Sequence, residues 1–429
     1  MEQAEIFHAV VDICILIILA ELASTLNARL KLPRILGTIF TGIIFGPFLL
    51  GSVVVGGRVF IEYNELIYIF AEFGAVLLLF EAGLHMRFSE LLKTGKASFT
   101  VAILGVVVPY LLGYFASTMM GFSVYVGMIV GGALSATSIA ISLACLGEMA
   151  QLGSPEAKLI IGAAVIDDVL ALSIASVIFS MLAHAETPGA LTIARLLLTT
   201  VGLWFVLSAV SSRVIPHLMG WIMRLERLDH VDQNLVSIFA LLSCFGFASL
   251  AGVLGLSPLV GAFMAGMALS GSSYHEAVQE FTGKLGILFI PLFFVVIGTQ
   301  INPYSVLHGN FLLMAVLGAV AVASKLVACG LPAQYFLKDK ERGIRVGLGM
   351  ISRGEIGLVI ASTGITLGIL SDEVYTALVM VIFLTTMLPP FLLRRSYLND
   401  PSCILPDSIR ERSREGAPVQ EHERGHGQG

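Results

Sequence analysis

Apolar segments long enough to cross a lipid bilayer recur along this chain from residue 8 to residue 395. A membrane-spanning helix needs about 20 predominantly apolar residues, and these segments have that length. Of the 429 residues, 56% are hydrophobic and only 13% are charged, and the mean hydropathy is +0.90. Soluble domains carry about 25% charged residues, so a soluble globular protein is excluded. The sequence predicts an all-α polytopic membrane protein with a single membrane domain.

The apolar segments predict about 13 transmembrane helices, numbered here as spans 1 to 13. They lie near residues 7–28, 34–52, 64–84, 97–119, 123–146, 156–183, 191–212, 233–253, 256–271, 283–300, 309–336, 343–369 and 373–393. The loops on one side contain only two basic residues, Arg58 and Arg195, and every other basic loop residue falls on the opposite side. Since basic loops stay in the cytoplasm, we expect a multi-pass protein of the cell inner (plasma) membrane, with its amino terminus outside and its carboxyl terminus inside.

Residues outside the spans predict little additional structure. The transmembrane domain is expected to cover residues 7–395, and the polar residues 396–429 are expected to form a short, disordered cytoplasmic tail. That tail is too short for a nucleotide-binding domain, and nothing indicates a nucleic-acid partner. The acidic start, with Glu2 and Glu5, is unlike the basic region of a cleavable signal.

The five cysteines are scattered, and four of them lie in apolar segments. They are expected to act as small hydrophobic residues, not as a disulfide framework or a metal site. The sequence predicts no cofactor.

Two segments of the chain resemble each other weakly. Leu32–Gly42 and Leu256–Gly266 share an early proline and two glycines at the same spacing, and the following span ends in a glycine and a polar residue in both cases. Equivalent spans in units 34–183 and 256–393 would run in opposite directions, which is the inverted five-helix repeat of secondary transporters. The alternative is chance similarity between glycine-rich membrane helices.

Two adjacent aspartates, Asp167 and Asp168, lie in the middle of the sixth span. A carboxylate at bilayer depth costs about 2.5–3.5 kcal/mol on insertion scales, so such residues mark a functional site. Neighbouring residues on a helix point about 100° apart. One carboxylate can therefore line a water-filled cavity while the other turns toward a partner inside the bundle.

Three more charged residues fall inside apolar segments. Lys325 is more than ten residues from either end of its span, too deep to reach water by snorkelling, and needs a carboxylate or a cavity. Arg353 and Glu355 belong to a glycine-rich span that could unwind. They form either a local structural pair or a direct contact to a bound ion.

The fifth span contains a second candidate break, around Thr137 and Ser138. Freed carbonyls and hydroxyls there would suit a cation, although such hydroxyls more often bond back to their own helix. Glu81 and His85, near the end of the third span, form either a proton entry pair or merely interfacial groups, and the second interpretation is favoured. Glu65 and Glu72 lie nearer its other end and are given no special role.

The motifs around these residues resemble the bacterial sodium/proton antiporters of the second cation:proton antiporter family. The motifs are GAAVIDD (Gly162 to Asp168), ATS (Ala136 to Ser138), Lys325 in its span, and RGEIGL (Arg353 to Leu358), and they occur in the family's order. The resemblance implies a thirteen-helix fold with crossed, unwound helices at spans 5 and 12, and a homodimer that serves pH homeostasis. It also implies that Asp168 binds the cation and the proton, while Asp167 pairs with Lys325 and releases it during the cycle.

This chain departs from the family pattern at two positions. His85 replaces the usual glutamate after Gly83-Leu84, and Ser352 stands where proline is common before RGE. Any inherited pH-sensing detail is therefore in doubt, whereas the ion site is not. Potassium-efflux relatives usually carry Gln-Asp at the aspartate pair and a large nucleotide-binding tail, so Asp167 with Asp168 favours sodium.

The expected function is secondary antiport, without ATP, of Na⁺ (or Li⁺) against H⁺, the two ions competing for Asp168 by alternating access. If Lys325 also gives up its proton, two protons move per cation and the exchange is electrogenic. A K⁺/H⁺ antiporter on the same fold is the alternative, because ligand chemistry barely separates the two ions. An intramembrane aspartyl protease is disfavoured, since it needs aspartates facing each other from different helices. A channel is disfavoured by a single buried site with a lysine partner.

Overall fold

The computed structural model describes residues 3–30, 32–55, 58–184, 190–225, 233–304, 310–398 and 400. Its helices are α1 (Gln3–Arg29), α2 (Arg34–Ile44), α3 (Glu65–Leu84), α4 (Phe88–Met119), α5 (Val124–Ser135), α6 (Ile139–Glu148), α7 (Pro155–His184), α8 (Ala190–Leu225), α9 (Gln233–Val253), α10 (Pro258–Leu269), α11 (His275–Thr299), α12 (Phe311–Leu337), α13 (Lys340–Gly349), α14 (Glu355–Thr366) and α15 (Asp372–Leu398). Between α2 and α3, a 3₁₀ turn (Leu50–Ser52) precedes a small antiparallel hairpin of β1 (Val54–Val55) and β2 (Arg58–Val59).

The helices agree with the predicted spans. Within the described residues, nine helical segments are long and apolar enough to cross a membrane, and three apolar helices of 10–17 residues are shorter. The fifth and twelfth spans are each divided, into α5 with α6 and α13 with α14, and the other helices correspond one to one with the remaining spans. The count of about thirteen spans and the two predicted breaks are therefore confirmed.

The two broken spans cross each other at their breaks. Extended backbone at Ala136–Ser138 separates α5 from α6. The Ser138 N–H donates to the Ser352 carbonyl at 2.9 Å, and the Ser352 hydroxyl donates to the Ser138 carbonyl. Unwound backbone is tolerated at membrane depth only where such groups find partners inside the protein. Each break thus satisfies the other.

The same close glycine contact occurs twice between the two predicted repeat units. A Cβ atom on Gly42 of α2 would lie 1.9 Å from the Val295 carbonyl oxygen of α11. A Cβ atom on Gly266 of α10 would lie 2.0 Å from the Phe80 carbonyl oxygen of α3. Gly42 and Gly266 are the last residues of the two similar segments, so the contact is equivalent in the two repeats and supports the predicted inverted repeat.

The equivalence extends one span further than the sequence indicates. Gly37 of α2 packs on the backbone of Ala23 in α1, where an added Cβ atom would lie 2.5 Å from the Ala23 carbonyl oxygen. Gly261 of α10 packs in the same way on Phe247 of α9, at 2.2 Å. The first and eighth spans thus make equivalent contacts with the predicted repeat units, although their sequences carry no recognisable similarity.

The broken helices lie at the centre of the bundle. The apolar window of α5 and α6 is 94% buried, compared with 33% for the windows of α1 and α4. Outer helices present apolar side chains to lipid, whereas the central ones must satisfy every polar group within the protein. The bundle has two ends, which we call the hairpin face, at β1–β2, and the basic face, where most basic loop residues lie.

The last helix continues beyond the predicted membrane boundary at residue 395. It ends at Leu398, and the Asp400 carboxylate lies 2.5 Å from a guanidinium nitrogen of buried Arg345. Arg345 also bonds to Glu156 at 3.1 Å and stacks on the Tyr397 ring. A buried charged cluster thus lies at the basic face, and the rest of the predicted tail, residues 399 and 401–429, lies outside the described residues.

Candidate functional site

Asp167 and Lys325 form a fully buried ion pair where the broken helices cross. The Lys325 Nζ atom lies 3.0 Å from Asp167 Oδ1, and both side chains have no exposed surface. The other carboxylate oxygen accepts the Thr137 backbone N–H at 3.0 Å. Lys325 also donates to the Thr137 hydroxyl. Buried charges are tolerated when paired and hydrogen-bonded in this way.

Local sequence explains how these three residues meet. The break after α5 frees the Thr137 N–H from helical bonding, and α7 carries Asp167 opposite it. Gly105 of α4 makes room for the pair, because a Cβ atom there would lie 2.7 Å from the Cys329 sulfur and 3.8 Å from Lys325 Nζ. A larger residue at position 105 would displace groups beside the ion pair.

The Asp168 side chain lies in a different environment from that of Asp167. It is partly buried and lines a cavity of about 780 Å³. The cavity reaches Gly255 and Pro258, which are exposed where α9 connects to α10 at the hairpin face, and Thr137 and Ser138 also line it. The adjacent carboxylates therefore have separate environments, one dry and paired, the other at the wall of a cavity.

Arg353 bonds to backbone carbonyls. It is fully buried, and its guanidinium donates to the carbonyls of Ala136 at 3.3 Å and Ala321 at 2.9 Å. Ala136 caps the carboxyl end of α5, where a positive charge offsets the partial negative charge of the helix end. Arg353 thus ties the break in one span to that in the other. Glu355 begins α14, and its side chain lies outside the described part of the chain.

Comparison with known proteins places the chain in a family. The sequence model of the family described as "Sodium/hydrogen exchanger, transmembrane" matches residues 15–394. The chain belongs to this family. The expected resemblance is therefore confirmed, as is the expectation that the protein is a transporter and not an enzyme.

Individual relatives agree with this result over most of their length. The chain is 32% identical over 392 residues to the Na(+)/H(+)-K(+) antiporter GerN of Bacillus cereus, covering 91% of this chain and 97% of GerN. It is 30% identical to a Na(+)/H(+) antiporter of Enterococcus hirae, covering 89% and 96%. The solved structure of the sodium proton antiporter MjNhaP1 from Methanocaldococcus jannaschii has the same fold, with a TM-score of 0.60 at 17% identity, covering 92% of this chain and 97% of that one.

The cavity of this exchanger also contains a carboxylate that sequence reasoning missed. Glu72 of α3 is exposed and lines the same cavity as Asp168. The sequence predicts that Glu72 lies near a membrane end and has no special role. Its depth in the span was the one available signal, because it lies about 10 Å along the helix from Glu65 at 1.5 Å per residue.

A second cavity in the exchanger, of about 460 Å³, lies at the basic face. It is lined by Glu81, His85, Arg34 and Glu148, among others. His85 lies 2.9 Å from the Glu81 carbonyl oxygen and 3.2 Å from the side-chain nitrogen of Gln279. Glu81 and His85, expected to be interfacial groups, both line this cavity.

Glu148 fixes one wall of the second cavity. Its carboxylate accepts the backbone N–H groups of Arg34 at 3.1 Å and Ile35 at 2.9 Å, which are the first two residues of α2. A carboxylate at this end satisfies unpaired N–H groups and the positive end of the helix. It connects α6, the second half of the broken fifth span, to α2.

Apolar side chains separate the two cavities. On α6, Ile139 lines the larger cavity, and Leu143, one turn away, lines the smaller one. On α3, Leu79 lines the larger cavity and Leu78 lines the smaller one. All four are buried and belong to one hydrophobic cluster. The cavity with Asp168 therefore reaches the hairpin face, and packed hydrocarbon lies between it and the basic face.

Proposed function

We propose that this exchanger moves Na⁺ (or Li⁺) and H⁺ in opposite directions, and that the two ions compete for the carboxylate of Asp168. The observation that carries the proposal is the contrast between the adjacent aspartates. Asp168 lines the larger cavity, whereas Asp167 is fully buried against Lys325. A carboxylate at a cavity wall can exchange a proton for a cation, and oxygen donors suit a hard cation.

Thr137 and Ser138 are proposed to complete the ion site. Both line the cavity, and the break between α5 and α6 brings these two hydroxyl-bearing residues to its wall. The Thr137 hydroxyl accepts a hydrogen bond from Lys325, so the residue connects the buried pair to the cavity. Arg353 holds the break in shape through Ala136, and Glu355 begins the helix on the other side of the crossing.

Alternating access follows from the two cavities. We propose that the basic face is cytoplasmic, because basic loops are retained there. The amino terminus is then outside, the protein lies in the cell inner membrane, and the structure represents an outward-facing state. Opening the layer of Leu79 and Leu143 while closing the larger cavity would present Asp168 to the cytoplasm. We also propose a homodimer in the membrane lipid, as the family resemblance implies.

Charge balance depends on what happens to Lys325. If Asp167 releases Lys325 when Asp168 loads a cation, the lysine is left at depth without its counter-charge and gives up a proton. Two protons then cross for each cation, and the exchange is electrogenic. K⁺ is the alternative cation, because the relative GerN is named a Na(+)/H(+)-K(+) antiporter.

The test is proton movement in everted vesicles, followed by the recovery of a quenched pH dye when Na⁺, Li⁺ or K⁺ is added. Asp168→Asn is expected to abolish the recovery, because the titrating ligand is lost. Asp372→Asn, at an exposed position at the start of α15, makes the same chemical change away from the cavity and should leave the signal intact. Both variants should elute from detergent like the wild type. Normal recovery by Asp168→Asn would refute the assignment.

A further inference from the structure

We infer that Glu72 is a cation-gathering carboxylate of the outer cavity, which raises the local concentration of the cation before it reaches Asp168. The inference rests on the proposed exchange at Asp168 and adds a residue on a different helix. Glu72 belongs to α3, and Asp168 belongs to α7. It is a positioning residue for the arriving ion and acts before the binding step.

The depth of Glu72 requires an explanation. It lies within a helix long and apolar enough to cross the membrane. A carboxylate facing hydrocarbon at that position is costly, whereas one that faces a water-filled cavity keeps its solvation. Its side chain lines the cavity, and water filling that cavity would keep the carboxylate solvated.

The charge of the cavity favours cations. Among the described residues that line it, two are acidic, Glu72 and Asp168, and none is basic. Apolar side chains such as Leu79 and Ile139 form much of the remaining wall. Clefts of one charge sign with low-dielectric walls focus the field and concentrate counter-ions. Glu72 doubles the formal negative charge of this cavity and extends it away from the ion site.

The same helix offers a matched control. Glu81 lies nine residues further along α3 and lines the smaller cavity, beyond the apolar layer. Replacing it by glutamine makes the same chemical change in the same helix. The two carboxylates therefore separate an effect on the outer cavity from an effect on α3 itself.

The experiment measures the apparent KM and the maximal rate for Na⁺ in right-side-out and in everted vesicles, with wild type, Glu72→Gln, Glu72→Asp and Glu81→Gln. For Glu72→Gln we expect the KM in right-side-out vesicles to rise on the order of threefold to tenfold, in line with field focusing. The maximal rate should change less than twofold, and the KM in everted vesicles should stay unchanged. Glu72→Asp should restore most of the loss, and Glu81→Gln should leave the right-side-out KM at the wild-type value.

Ionic strength provides a readout that a purely structural role would not affect. Choline chloride should reduce the difference between wild type and Glu72→Gln, because salt screens charges in a water-filled cavity. Three results for Glu72→Gln would overturn the inference and leave the proposed function standing. They are an unchanged KM in right-side-out vesicles, an equal rise of the KM in both vesicle types, and a loss confined to the maximal rate. A wild-type protein without exchange in the same vesicles would overturn the proposed function as well.

Discussion

Breaking the buried ion pair between Asp167 and Lys325 should destabilise the exchanger more than any surface change. At 3.0 Å, two unit charges attract each other by about 5–6 kcal/mol at an effective dielectric constant near 20. Removing one partner typically costs about 3–5 kcal/mol, because the other charge is left buried without compensation. Lys325→Met removes the charge but keeps a long apolar side chain, which limits the cavity left behind.

The two single variants should differ in size. Without Lys325, Asp167 keeps only neutral donors, the N–H and the hydroxyl of Thr137. In Asp167→Asn, the lysine keeps the Thr137 hydroxyl as an acceptor, and the new amide oxygen provides a second one. We therefore expect Lys325→Met to be the more destabilising change. The double variant contains neither charge and should be more stable than the sum of the single losses predicts, by about 2–3 kcal/mol.

The assay is the fraction of protein that remains monodisperse in detergent after heating. Two heating rates should be compared, since unfolding of such proteins is often irreversible and then depends on the scan rate. The order of apparent Tm values should be wild type, then Asp167→Asn, then Lys325→Met, with the double variant above the additive expectation. Strict additivity would mean that the two charges are not coupled, and the pairing would have to be withdrawn.

Two further substitutions test the crossing. Thr137→Ala removes an acceptor from the buried Lys325 ammonium group and should lower the free energy of unfolding by about 1.5–3 kcal/mol while raising the apparent KM for Na⁺. Thr137→Ser keeps a hydroxyl and should restore both values. A wild-type KM for Thr137→Ala would exclude the Thr137 hydroxyl from the ion site. Gly354→Ala would place a Cβ atom 2.6 Å from Ser138 Cβ and should reduce the exchange rate at least about tenfold by forcing the crossed chains apart. Gly271→Ala, which meets nothing within 4 Å, is its control, and equal rates for the two variants would contradict the packing argument.

The sequence determined the features that depend on local pattern. The bilayer thickness sets the length of each apolar span, and basic residues concentrate in the loops on one side of the membrane. Both patterns are visible in the sequence, and together they predicted the number of spans. Adjacent aspartates on a helix must diverge by about 100°, so separate environments for Asp167 and Asp168 followed from spacing alone. Glycine and hydroxyl residues marked both breaks. The depth of Lys325 in its span indicated that it needs a counter-charge, and the structure supplies Asp167.

Only the tertiary structure decided which distant groups meet. Arg353 bonds to carbonyls at positions 136 and 321, which no pattern near residue 353 indicates. Glu72 lines the same cavity as Asp168 because α3 and α7 both form its wall. The sequence of an apolar helix does not reveal whether a carboxylate in it faces lipid, protein or water. The side on which the cavity is open depends on how α3 and α6 pack, through apolar residues that look alike along the whole sequence. Hydrophobic attraction is non-directional, so composition can specify burial, whereas the choice of neighbours and of the open face is made by the shape of the packed bundle.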